Sequence, residues 1–76
     1  MFPAELDLAL RTRSALASGE ARDAREALKV RQADVADVLG VSRQVVSLWE
    51  RGERTPTARN ALAYGKLLQR LAQQAA

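Results

Sequence analysis

Apolar residues recur three and four apart along nearly the whole chain, and no stretch sustains the apolar–polar alternation of a half-buried strand. This periodicity predicts an all-α protein. Pro3 opens a first helix to about Ala17, with Glu5 and Asp7 where carboxylates complement the helix dipole, and Ser18 and Gly19 break it. A second helix runs from about Glu20 to Leu28, with Ala21, Ala24, Ala27 and Leu28 as its inner face, and Lys29 and Val30 form a tight connection. A third spans Gln32 to Leu39 with Val35, Ala36, Val38 and Leu39 as its apolar positions, and Gly40 stops it in the left-handed conformation. Ser42 caps a fourth, Arg43 to about Arg51, buried along Val45, Val46 and Trp49. Thr57 caps a last helix to about Gln74, in which Gly65 marks either a close approach or a break.

Length and composition narrow the function. A chain of 76 residues with no cysteine and no histidine cannot use disulfides, the usual zinc sets or cysteine and histidine nucleophiles. No glycine-rich phosphate loop and no paired carboxylates in an apolar setting are present, so neither enzyme nor cofactor is expected. Asp34 and Asp37 stand three residues apart but lack a third ligand, and are read as solvated carboxylates rather than a metal site. Charge is unevenly spread. Residues 1–40 carry six basic and seven acidic side chains, whereas residues 41–76 carry six and two, which points to a polyanionic partner for the C-terminal half. The start, Met1-Phe2-Pro3, has neither the basic opening nor the apolar run of a secretory signal. No stretch approaches the length of about 18 apolar residues of a membrane helix, so a soluble, cytoplasmic protein with no membrane partner is expected.

Two short helices around Gly40, with small Ala36 where they would cross, form the sequence image of a helix-turn-helix over residues 32–52. The run from Gln32 through Ala36, Gly40, Ser42 and Val46 to Trp49-Glu50-Arg51-Gly52, followed by Pro56, resembles the lambda-repressor-like, Xre/Cro-type DNA-binding domain. The resemblance covers about Glu20 to Leu68. It implies a bundle of four or five helices, here one domain of residues 1–76 with an extra N-terminal helix in 1–18 and a C-terminal helix in 57–76. The implied function is a transcriptional regulator that binds operator DNA as a homodimer, in bacteria or phage and associated with the nucleoid. A Cro-like repressor, a restriction-modification controller and an autoregulating antitoxin all fit.

The same resemblance distributes roles along the chain. Arg43, Gln44, Ser47 and Leu48 face base edges, and the chemistry agrees: arginine pairs with guanine, glutamine with adenine, and leucine touches a thymine methyl. Gln32, Ser42, Arg51, Arg54 and Arg59 are the expected phosphate contacts. Glu50 is implied to pair with Arg25 as a structural ion pair. Trp49, on the Val45 and Val46 stripe, is read as core rather than as a stacking platform for single-stranded bases. Lys29 and Arg31 depart from the family, where glycine and a serine or threonine are usual. Tyr64, Leu67, Leu68 and Leu71 form the expected dimer seam, with Leu6, Leu10 and Leu16 as the rival surface. The other class of function left open is a module that has kept this fold and binds a protein.

Overall fold

The computed structural model describes residues 1–75; Ala76, the end of the expected C-terminal segment, lies outside the described residues. Five helices follow one another, α1 (Pro3–Ser18), α2 (Glu20–Ala27), α3 (Gln32–Leu39), α4 (Arg43–Glu50) and α5 (Ala58–Ala75), with no strand among the described residues. All of the expected helices form, with ends displaced by at most one residue.

Each boundary has a local cause. Pro3 fits the first turn of α1, where a missing N–H costs nothing, and the Glu5 carboxylate accepts from the Phe2 N–H at 3.3 Å. Gly40 ends α3 at φ +71°, a conformation that strains any residue with a β-carbon, and Val41 N–H then bonds back to the Ala36 carbonyl at 3.0 Å. Ser42 Oγ accepts from the Val45 N–H at 3.1 Å, and Thr57 Oγ1 accepts from the Asn60 N–H at 3.2 Å, so α4 and α5 carry the expected caps. Arg31, at the N-cap of α3, has no side-chain acceptor to offer. There the Asp34 carboxylate accepts from the Arg31 N–H at 3.0 Å instead.

The core draws on all five helices: Ala9 and Leu16 from α1, Ala21 from α2, Val35 and Ala36 from α3, Val46 and Trp49 from α4, and Ala61 and Tyr64 from α5. Trp49 is buried with this group, as expected. Several expected positions differ. Val38 is 65% exposed, because Val35, Ala36 and Leu39 already fill the inward arc of α3. Ala24 and Ala27 face solvent; α2 turns inward through Ala21, Arg25 and Leu28, an i, i+4, i+7 stripe that brings a guanidinium into the interior.

Gly65 resolves as a close approach and not as a break, since α5 runs through it unbroken. A β-carbon there would overlap the Thr12 hydroxyl and press on Leu8, so α1 and α5 meet at this point only because the side chain is absent. Arg13 Nε adds a tie from α1 to the loop after α4, donating to the Pro56 carbonyl at 3.0 Å. The N-terminal helix is thus built into the core that carries α3 and α4.

Candidate nucleic-acid interface

The inner side of the helix-turn-helix is fixed by a buried polar network. Arg25 grips Glu50 with two parallel bonds, Nε to Oε2 at 2.7 Å and Nη2 to Oε1 at 2.9 Å, and sends Nη1 to the Val30 carbonyl at 2.8 Å. The Tyr64 hydroxyl donates to Glu50 Oε2 at 2.7 Å, and Gln32 Nε2 donates to Oε1 at 3.0 Å. Burial alone would raise the Glu50 pKa, but the bonds from Arg25, Gln32 and Tyr64 outweigh it and hold the carboxyl below its ordinary range. Burial, followed by the hydrogen bond to Glu50 and then that carboxylate's charge, pushes the Tyr64 phenol upward, so it stays a neutral donor. No buried side-chain polar atom among the described residues lacks a partner. One carboxylate therefore ties α2, the start of α3, the end of α4 and α5 together and anchors α4 against the bundle.

The outer side of α4 is left open. Ser42, Arg43 and Gln44 are exposed at its N-terminal end, and Ser47 and Leu48 are half-buried on the following turn. Gln32 lies at the adjoining start of α3, where its Oε1 accepts from Arg43 Nη1 at 3.3 Å. With Nε2 committed to a carboxylate that can only accept, the Gln32 carbonyl has to turn outward toward Arg43. Ser42 uses its oxygen as the α4 cap, which leaves its O–H free to donate. Arg54 and Arg59 are exposed, Arg54 near Trp49 and Pro56 and Arg59 in the first turn of α5. Arg51 is also exposed but pairs with Glu53 at 2.7 Å. The structure thus gathers Gln32, Ser42, Arg43 and Gln44 at the joined beginnings of α3 and α4, and Arg51 and Arg54 beyond the end of α4.

Two of the residues expected at a subunit surface are corrected. Tyr64 is 0% exposed, with its ring in the core and its hydroxyl on Glu50, so it offers nothing to a second subunit. Leu16, 1% exposed, is equally internal. The periodicity of α5 continues past the bundle and gave no sign of where core ends and surface begins. Leu67 and Leu68 pack in part against the core, Leu71 is half-buried on the last turns, and Leu6 and Leu10 remain exposed. Nothing near Tyr64 in sequence points to its bond with Glu50, although a buried tyrosine requires a partner for its hydroxyl. Asp34, read as a solvated carboxylate, has a structural task in capping α3.

A family profile described as helix-turn-helix matches residues 22–72, more than half of the chain. The chain belongs to the Xre, lambda-repressor-like helix-turn-helix family. Membership makes it a DNA-binding domain rather than an enzyme. Repressor protein C2 of Salmonella phage P22 is 46% identical over 48 residues, covering 63% of this chain. The match spans only 22% of the length of that repressor. No solved structure gives a significant match. The profile begins inside α2, so α1 is an addition to the family region that nonetheless supplies Ala9, Thr12 and Leu16 to the interior.

Proposed function

We propose that this chain is a transcriptional repressor that occupies operator DNA as a homodimer, with α4 of each subunit in the major groove. The observation that carries this reading is the two-sidedness of α4: Trp49 and Glu50 are locked in the interior, while Arg43 and Gln44 stand exposed beside Gln32. Arg43, Gln44, Ser47 and Leu48 then meet base edges, and Ser42, Arg51, Arg54 and Arg59 meet phosphates together with Gln32, which donates its backbone N–H at the start of α3 because its outward side-chain oxygen can only accept. Arg51 does so by exchanging Glu53 for a phosphate, a small cost for an exposed pair. The chemistry is occupancy alone. Similarity to a phage repressor favours repression, in a Cro-like setting or one of its controller and antitoxin counterparts, at the nucleoid of a bacterial cytoplasm. No helix among the described residues is long and apolar enough to cross a membrane.

For the second subunit, Leu6 and Leu10 on α1 and Leu71 on α5 are the surface that remains once Tyr64 and Leu16 are assigned to the core, with Leu67 and Leu68 contributing their uncovered parts. Phe2, Leu6 and Leu10 follow one another four residues apart, and Phe2 is 76% exposed. The same stripe lies outside the family match and favours a second reading, in which a partner protein docks on α1. Selecting bound duplexes from a random library tests the proposal. Two half-sites about one helical turn, roughly 34 to 36 Å, apart support a DNA-bound dimer. A single half-site contradicts the dimer, and the absence of enrichment contradicts operator binding.

A further inference from the structure

The structure assigns to Arg31 a contact with the DNA backbone, as a further phosphate-binding residue beside α4. The assignment rests on the DNA-binding reading and extends it to a side chain that the recognition pattern does not include.

Arg31 occupies the N-cap of α3, a position where a side-chain oxygen would accept from the free amides of the first turn and where a guanidinium, having no acceptor, cannot. The neighbouring helix shows the usual solution, with Ser42 capping α4. What Arg31 offers instead is an exposed charge. Its side chain is 80% accessible and lies on Asp34, with Nε to Oδ2 at 3.2 Å and Nη2 to Oδ1 at 2.9 Å. That grip uses one edge of the guanidinium and leaves Nη1 unengaged by Asp34. The plane of the group is thereby oriented while part of its donor set stays available.

Its surroundings supply the direction. Arg31 lines an open groove together with Gln32, Ala33, Arg43, Arg25 and Glu26. Of the carboxylates near this groove, Glu26 is answered by Arg22 at 3.5 Å and Asp34 by Arg31 itself, Arg25 is spent on Glu50, and Asp37 adds a negative charge that acts on Arg31. Arg43 is the uncompensated charge. A phosphodiester lying along the mouth from Arg43 past Gln32 therefore meets the Arg43 charge first and arrives at the open side of Arg31. An exposed ion pair is worth little in water, so sharing or exchanging Asp34 for a phosphate oxygen carries a small penalty. Releasing the counterions condensed on that phosphate favours the exchange.

The test is a salt series on a duplex selected by the wild-type chain, comparing Arg31→Ala, Arg31→Ser and Arg31→Lys. Arg31→Ala and Arg31→Ser should weaken binding several-fold and lower the slope of log affinity against log salt by about one unit, with base preference unchanged. Arg31→Lys should keep the slope. Arg31→Ser restores a capping oxygen, so its melting temperature should equal or exceed that of the wild type while its affinity falls. A purely structural role predicts the opposite, stability and affinity moving together. An Arg31→Ala chain with wild-type affinity and slope overturns the assignment. A wild-type chain that binds no duplex in a salt-dependent way overturns the DNA-binding reading, and the assignment with it, before any variant is compared.

Discussion

The Tyr64 hydroxyl donates to the Glu50 carboxylate at 2.7 Å across the interior of the domain, joining the middle of α5 to the end of α4. A hydrogen bond to a buried charge contributes about 1.5 to 3 kcal/mol, more than a bond between neutral groups. Tyr64→Phe keeps the ring and removes only the donor. Its unfolding free energy in urea should fall by about that amount, and an unchanged midpoint would show that the bond carries no stability.

The same carboxylate sets an acid limit. The folded Glu50 pKa lies below its ordinary value, near about 4.3 in an unfolded chain. Its contribution is therefore fully present above that value and is lost as pH falls through the lower folded pKa. Removing the Tyr64 bond brings the folded pKa back toward the ordinary one. The stability gap between wild type and Tyr64→Phe should then narrow once the pH drops below the ordinary carboxylate range, in denaturation curves at matched ionic strength. A gap that widens on acidification would reverse the assigned sign.

Lys29 sits at φ +61°, a left-handed conformation that costs a residue with a β-carbon about 1 to 2 kcal/mol. Glycine avoids that strain but loses about 0.5 to 1 kcal/mol to its freer unfolded chain. Lys29→Gly should therefore stabilise the domain, by about 0.5 to 1 kcal/mol, with a rise in melting temperature. A fall would mean that the lysine has a compensating contact in solution.

At Gly65 the balance runs the other way. Alanine would improve helix propensity by up to about 1 kcal/mol, yet its β-carbon would overlap the Thr12 hydroxyl, and overpacking costs about 1 to 3 kcal/mol. Gly65→Ala should be destabilising, and adding Thr12→Ala should recover most of the loss. Failure of the second substitution to rescue would place the strain on Leu8 instead.

Helix number, the turn at Gly40 and the caps at Ser42 and Thr57 were legible because each depends on neighbours in sequence: periodicity, a glycine, a side-chain oxygen. The helix-turn-helix was legible for the same reason, its core being encoded within residues 32–52. What was hidden depends on distant pairs. Tyr64 looked like surface because its periodicity continues the α5 stripe, and only the fold reveals Glu50 at its hydroxyl. Leu16 looked like the third member of a stripe with Leu6 and Leu10, but α1 turns it into the core. Arg31 read as a missing cap, and its place on the groove beside Arg43 required α3 and α4 to be docked.

The central claim, that the exposed face of α4 reads bases, is tested most directly by measuring Gln44→Ala against duplexes carrying each base pair in turn across the selected site. The account predicts a loss of about 1 to 3 kcal/mol confined to one base pair per half-site, with the salt slope unchanged. Equal weakening on every duplex, or no weakening at all, would contradict it.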